Sequence, residues 1–173
     1  EHVHREEWGV RHLDEEDPSW TFVAAQIHLQ HIYDVIGLMR NLSNEKVYSD
    51  FYGHMLRLSQ KGLYDSRLLK AYTKEEIDEI GMMIEPERDS LFTYIGLKTL
   101  MDRYVARDYD KTPAELPQER WIIIAMTLMQ NEEIDRLEKV REAYWAMSNL
   151  YMTVATPTLS NAGKPHGQLS SCF

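Results

Sequence analysis

The sequence is poor in cysteine, in glycine and proline, in positive charge and in long apolar runs. Cys172 is the only cysteine among 173 residues, so no internal disulfide can form, as suits a reducing cytoplasm. A net charge of −9 argues against a generic surface for nucleic acid or anionic membranes. Eight glycines and six prolines leave little room for a disordered chain. No apolar run approaches the roughly 20 residues of a membrane span, and the charged start is unlike a signal peptide.

Helical periodicity dominates what is present. Apolar residues recur at helical spacing until about residue 150, which predicts a mainly α fold of seven or so helices in an irregular bundle. Residues 151–173 are rich in Thr, Ser, Gly and Pro instead, which predicts an extended loop or strand tail with a short strand near 169–173. The predicted units are 1–16, an N-terminal remnant or linker; 17–151, a helical domain; and 152–173, the start of a second unit.

Local signals place several helix ends. Asp17 followed by Pro18 predicts an N-cap and a first helical position. Gly62 is a typical residue just beyond a helix C-terminus, here of a helix over about 47–61. The stretch 73–76, Thr-Lys-Glu-Glu, matches a capping box. The helix that starts at Pro117 is apolar nearly all round, so it is predicted to be buried.

The tail carries the residues that point to chemistry. A thiol, Cys172, follows two serines, and the stretch ATPTLSNAG at 155–163 precedes it. A Thr-Pro turn followed by glycine offers hydroxyls and free backbone N–H groups to a phosphate. The alternatives are an ordinary surface turn and a buried or incidental cysteine.

These two stretches, ATPTLSNAG at 155–163 and QLSSCF at 168–173, resemble the segment that leads into the catalytic barrel of ribonucleotide reductase large subunits. The helical stretches 72–104 and 115–126 look like the N-terminal region of the same family, so the resemblance spans about residues 20–173. It implies that 152–173 is the incomplete start of a ten-stranded α/β barrel.

The resemblance also implies residue roles. Cys172 matches the active-site cysteine that forms a reducing pair with a second, downstream cysteine and touches the substrate. Ser171 beside it would contact the substrate, and Thr156 would help to hold the substrate phosphates. Thr158 and Ser160 are further candidates for the same loop. No metal ligand is implied in this chain.

The implied reaction is reduction of ribonucleoside diphosphates (or triphosphates) to the 2′-deoxy forms by a radical thiol mechanism, in the cytoplasm. The implied helpers are a radical source, a thioredoxin- or glutaredoxin-type reductant and nucleotide effectors. The radical source would be a small subunit with a metal-based radical, with adenosylcobalamin as the alternative. Implied partners are the downstream remainder of the subunit and the nucleotide substrate, without DNA or membrane.

Because Cys172 has no partner cysteine in this sequence, the chain by itself is predicted to be inactive. It would be an expression product cut at that boundary, a split-gene product or a piece next to an intervening element. Its tail, without pairing strands, is predicted to be disordered beyond about Thr158.

Other signals favour simpler readings. His28 and His31 lie three residues apart, at a spacing that metal ligands use, but they are interpreted as helix histidines because no Glu or Cys completes a ligand set. The acidic clusters 14–17 and 132–135 are interpreted as charge that stabilises helix N-termini. The rival functions are an all-helical interaction module whose tail docks on a partner, and a di-metal helical bundle.

Overall fold

The computed structural model describes residues 17–171, and within them the chain forms eight α-helices. Two 3₁₀ helices, Asn44–Lys46 and Pro86–Leu91, lie between them. The described part contains no β-strand, only an isolated antiparallel bridge between Arg107 and Pro113. The mainly α prediction is therefore confirmed. The α-helices are α1 (Trp20–Arg40), α2 (Phe51–Gln60), α3 (Ser66–Ala71), α4 (Lys74–Gly81), α5 (Tyr94–Arg103), α6 (Pro117–Met129), α7 (Arg136–Ser148) and α8 (Thr156–Asn161).

The predicted helix ends hold to different degrees. In the capping box of α4, the Glu76 amide donates to Thr73 Oγ1 (3.2 Å) and the Thr73 amide donates to Glu76 Oε2 (2.8 Å). Gly62 adopts a positive φ of 72° just after α2, as predicted. The start of α1 was placed too early: its N-cap is Ser19, and the Asp17 carboxylate accepts from the Ser19 amide (2.9 Å) instead.

Helix α6 lies at the centre of the bundle. Its six residues 121–126 are all buried, which confirms the prediction of a buried helix. Helix α7 packs along α6 and also contacts α4, while α5 and α8 contact other parts of α6. Helix α1 packs against α5, and α2 against α4. An apolar helix has the lowest free energy where every face contacts other apolar side chains, which accounts for the burial of α6.

The first turn of α6 buries charge rather than apolar surface. Glu119 forms a two-pronged ion pair with Arg40 at the end of α1, with N–O distances of 2.7 and 2.8 Å. The two side chains are only 1% and 6% exposed, so this pair is shielded from solvent. Arg40 also donates to the carbonyls of Val47 (2.8 Å) and Ala114 (3.1 Å).

Burial and pairing oppose each other in this cluster. Burial by itself would raise the pKa of Glu119, but the charges of Arg40 and His54 and the bonds from Arg40 hold that pKa below its usual value. Burial lowers the pKa of His54 to about 4, and the nearby Arg40 adds to the effect. His54 is therefore neutral near pH 7, when its Nε2 can accept from Arg40 at 3.0 Å.

A second buried cluster forms around Asp89 in the 3₁₀ helix 86–91. Its carboxylate accepts from the hydroxyls of Tyr33 (2.6 Å) and Tyr48 (2.5 Å) and from Gln118 Nε2 (2.7 Å). Gln118 Oε1 in turn accepts from the Tyr144 hydroxyl at 2.9 Å. Burial outweighs these bonds and raises the pKa of Asp89 to about 6. The cluster ties α1, α6 and α7 to one carboxylate.

Replacing Arg40 should destabilise the bundle strongly. Arg40→Met leaves the Glu119 carboxylate buried without its cation, so we expect the free energy of unfolding to fall by roughly 3–5 kcal/mol in urea titrations. Lys98→Met is the control, because it breaks an exposed pair with Asp102 and should cost less than about 1 kcal/mol. Equal losses in the two variants would contradict the assigned role of Arg40.

The neutral state of His54 should make stability depend on pH. The folded pKa lies below the unfolded value, so this stabilisation is present above about pH 6.5 and is lost as the pH falls towards 4, by about 3 kcal/mol in total. Asp89 acts in the opposite direction, because its raised pKa stabilises the fold at low pH. The difference in the free energy of unfolding between the parent protein and His54→Gln therefore isolates the contribution of His54 to the pH dependence.

Urea titrations between pH 4 and pH 7.5 measure this difference. His31→Gln is the matched control, because His31 is exposed. A parent protein and a His54→Gln variant whose stability curves run parallel would show that His54 is not held neutral by its surroundings.

Candidate functional site

The described part of the tail, residues 152–171, is ordered against the bundle. Its stretch 156–161 forms helix α8, with Pro157 in the first turn, where the missing proline N–H costs no hydrogen bond. Leu159 and Ala162 are buried in the core that α6 centres. The prediction of disorder beyond Thr158 is wrong for residues 159–171, because these contacts hold the tail in place. The predicted strand near 169–173 is absent at 169–171, and its last two residues lie outside the described part.

The tail also folds back on itself. The Thr158 hydroxyl donates to the Leu169 carbonyl, and Asn161 Nδ2 donates to the Gln168 carbonyl, both at 2.8 Å. Gly167 reverses the chain between them with a φ of 108°, a conformation that glycine adopts at low cost. The two stretches that the sequence singled out, 155–163 and 168–171, therefore lie side by side.

A buried ion pair anchors the tail to the rest of the molecule. Arg120 is fully buried, pairs with Glu115 at 3.3 Å and donates to the Ala162 carbonyl. Glu115 also accepts from the Tyr64 hydroxyl (2.6 Å) and from the Ala106 amide (2.7 Å). One pair of charges in α6 and the residues before it thus fixes both the tail and the loop after α5.

Two further contacts hold the turn after α8. The Gly163 carbonyl accepts from the Asp65 amide at the start of α3 (2.8 Å). Lys164 Nζ donates to the Tyr104 carbonyl at 2.9 Å and lies 3.4 Å from the Val105 carbonyl. Burial lowers the pKa of Lys164 to about 8. These anchors are backbone carbonyls or side chains outside the predicted substrate set.

The predicted site residues differ in their exposure and in their hydrogen bonds. Thr156 is exposed in the first turn of α8, and Ser171 is exposed near the end of the described chain. Thr158 is buried with its hydroxyl engaged by Leu169, which makes it a structural residue, and Ser160 is partly buried. Cys172 lies outside the described residues. The assignments of Thr156, Ser171 and Cys172 remain predictions.

Sequence reasoning missed Arg120, Glu115 and Lys164. The available signal was the run Glu-Leu-Pro-Gln-Glu-Arg at 115–120, which sets three charges at the start of a helix that is otherwise apolar all round. Charges in such a position must be buried, and buried charges need partners. The identity of those partners, above all the Ala162 carbonyl, depends on the tertiary fold and leaves no local pattern.

Residues 17–171 also bear on the metal and membrane alternatives. No group of three or more His, Cys, Asp or Glu side chains in this part is placed to hold a metal ion. His28 is half-buried against Tyr94 in an edge-on ring contact, and His31 is exposed. Within the same residues, no helix combines the length and hydropathy that crossing a membrane requires.

Fold and tail together define an all-helical domain that presents a folded-back segment rich in hydroxyl groups. Residues 90–167 match the family model described as "Ribonucleotide reductase, all-alpha domain". The chain belongs to the ribonucleotide reductase large-subunit family, in its N-terminal helical region.

Curated relatives extend the match over nearly the whole chain. A protein of Treponema pallidum is 40% identical over 92% of this chain, and one of Helicobacter pylori strain J99 is 36% identical over 95%. A protein of Enterobacteria phage T4 is 32% identical over 91%. All three are named ribonucleoside-diphosphate reductase subunit alpha. The chain spans only 18–20% of the length of these relatives.

The anchoring of the tail can be tested at Gly163. This residue has a φ of 73°, and an added Cβ would lie 2.3 Å from Ile123 Cγ2. Gly62 is the matched control, since its φ is 72° but its nearest atom would lie 3.9 Å away. Gly62→Ala should cost about 1–2 kcal/mol through backbone strain alone, and Gly163→Ala should cost a further 1–3 kcal/mol, roughly, through overpacking.

Amide hydrogen exchange provides a local measurement of the same change. The Asp65 amide, which donates to the Gly163 carbonyl, should lose protection in Gly163→Ala. The Leu63 amide, bonded to the Leu58 carbonyl, should keep its protection. Unchanged protection of Asp65 together with equal costs for the two substitutions would refute the docking of the tail.

Proposed function

We propose that this chain is the N-terminal part of the catalytic subunit of a ribonucleoside-diphosphate reductase, which supplies 2′-deoxyribonucleotides for DNA synthesis. One observation carries the proposal. The segment 155–171, by which the sequence resembles this family, is folded back on itself and bonded to the bundle through Arg120 and Asp65. The names of the relatives support the same reaction, with ribonucleoside diphosphates as the substrate class.

The proposed chemistry uses Cys172 as one of two reducing thiols. Two thiols give up two electrons and two protons and become a disulfide, while the ribose 2′-hydroxyl leaves as water and a hydrogen takes its place. Thiols suit this step because the thiol and disulfide forms interconvert reversibly. The second cysteine of the pair and the cysteine that carries the radical would come from the downstream remainder of the subunit.

Substrate binding is proposed for Thr156 and Ser171. The exposed Thr156 hydroxyl is suited to donate to a phosphate oxygen, and a hydrogen bond to a charged group contributes about 1.5–3 kcal/mol. The bond between Thr158 and Leu169 draws the two ends of this segment together, so Ser171 can approach the same substrate. Anchoring through Arg120 fixes these hydroxyls before the substrate arrives, which reduces the entropy lost on binding.

The same proposal implies a radical source, a protein reductant and nucleotide effectors. The relatives are each named "subunit alpha", a name that fits a separate radical-generating small subunit with a metal-based radical; adenosylcobalamin is the alternative source. A thioredoxin- or glutaredoxin-type protein would reduce the disulfide after each turnover, and nucleotides would act as effectors. This chemistry requires a reducing compartment, which in the cell is the cytoplasm. By itself the chain would not turn over.

The test is Cys172→Ser in the complete protein that contains this chain. We expect nucleotide reduction to fall to background, because a hydroxyl cannot form the disulfide, while circular dichroism and the unfolding midpoint stay unchanged. Ser49→Ala, an exposed position outside the tail, is the control and should retain full turnover.

The rival function, a non-enzymatic interaction module, predicts a different result. In that case the complete parent protein would reduce no nucleotide, even with a radical source and a thiol reductant supplied, and Cys172→Ser would change nothing. Turnover that survives in Cys172→Ser would likewise overturn the role assigned to this cysteine.

A further inference from the structure

A basic pocket lies beside the tail, on the side of the turn after α8. It has a volume of about 340 Å³ and forms where the end of α5, the loop that follows it and residues 164–166 meet. Its wall carries four basic side chains and one acid. They are Arg103, Arg107, Lys164 and His166, together with Asp102. This concentration of positive charge is unexpected in a chain whose net charge is −9.

Two of the basic groups are fixed in position. Arg107 donates to the carbonyls of Met101 and Lys111, both at 2.6 Å. Lys164 is bound to the carbonyls of residues 104 and 105, which occupy two of the three ammonium hydrogens. Carbonyls orient these cations without neutralising them, and the acid near Arg107 is Asp102.

The single acid of the pocket is already shared. Asp102 accepts from Lys98 at 2.8 Å and lies 3.5 Å from Arg107. Arg103, in the last turn of α5, and His166, in the tail, have no ion-pair partner among residues 17–171. The basic groups of the pocket therefore exceed its acidic groups.

The state of Lys164 reflects this excess. Burial is the main reason that its pKa falls to about 8, and the positive charges of Arg120 and Arg107 lower it further, against the opposing charge of Glu115. A cation that is held near two guanidinium groups is stabilised by any anion that enters the pocket. The excess of positive charge in the pocket therefore favours an anion as its ligand.

We propose that this pocket binds the phosphate group of a small molecule. Arg103 and His166 would donate directly to the phosphate oxygens, while Lys164 and Arg107 supply fixed positive charge behind them. Planar guanidinium groups match the geometry of phosphate oxygens well. Leu63 and Pro165 in the same wall provide an apolar surface against which a non-polar part of the ligand can pack. The inference is independent of Cys172 and of nucleotide reduction.

Isothermal titration calorimetry with inorganic phosphate at constant ionic strength tests whether the pocket binds phosphate. We expect saturable binding to the parent chain, weakened about tenfold by Arg103→Gln through the loss of one charge-assisted hydrogen bond. His166→Gln should weaken it in the same direction. Lys70→Gln is the control, because it also removes one positive charge from the last turn of a helix, α3, away from the pocket. Its affinity should remain within about twofold of the parent's, since distant surface charges are screened by salt.

A second pair of titrations identifies the source of the phosphate. ADP that binds more tightly than inorganic phosphate, and that weakens in Arg103→Gln, identifies a nucleotide. Equal affinities that weaken in the same variant identify free phosphate. The proposal is overturned if no binding saturates, if Lys70→Gln weakens phosphate binding as much as Arg103→Gln does, or if adenosine without a phosphate binds as tightly as ADP.

Discussion

The whole arrangement depends on the partners that the charged and polar side chains in the first turn of α6 need because they are buried away from water. A buried charge without a partner costs several kcal/mol, more than most single contacts contribute. Glu119 meets this need through Arg40, and so positions the end of α1. Gln118 bonds to Asp89 and Tyr144, and so joins the 3₁₀ helix 86–91 to α7. Arg120 meets it through Glu115 and the Ala162 carbonyl, and so positions the tail.

These partners come from four distant parts of the chain. Their bonds to the first turn of α6 therefore fix the relative positions of helices that apolar packing alone would allow to slide. Hydrophobic burial is non-directional, so a helix that is apolar all round can rotate about its axis at modest cost. An arginine that must reach both a carboxylate and a carbonyl allows far fewer orientations. We therefore assign the stability of the bundle to the apolar surface of α6, and its specific geometry to the first turn of that helix.

Local chemistry explains which features the sequence could predict. The capping box at Thr73, the glycine after α2 and the buried helix from Pro117 each depend on residues within a few positions of one another. Helix α8 was missed because its Thr-Pro-Thr-Leu-Ser-Asn sequence is typical of loops; Pro157 allows a helix to start, but only contact with α6 makes it persist. The order of the tail was missed for the same reason, since Arg120, Asp65 and Tyr104 lie at least 42 residues from their partners.

The residues of the candidate site were indicated by a family resemblance. The structure shows which contacts hold the segment that carries them. The tail is held mainly through backbone carbonyls, at residues 162, 163, 168 and 169, and through the side chains of Thr158, Asn161 and Lys164. Such anchoring leaves Thr156 and Ser171 exposed at the surface, as their proposed contact with a substrate requires. It also joins the hydroxyl-bearing face of the tail to the basic pocket through one turn, residues 161–166. A ligand in the proposed pocket would therefore contact the turn that directly follows α8, the helix whose first turn carries Thr156.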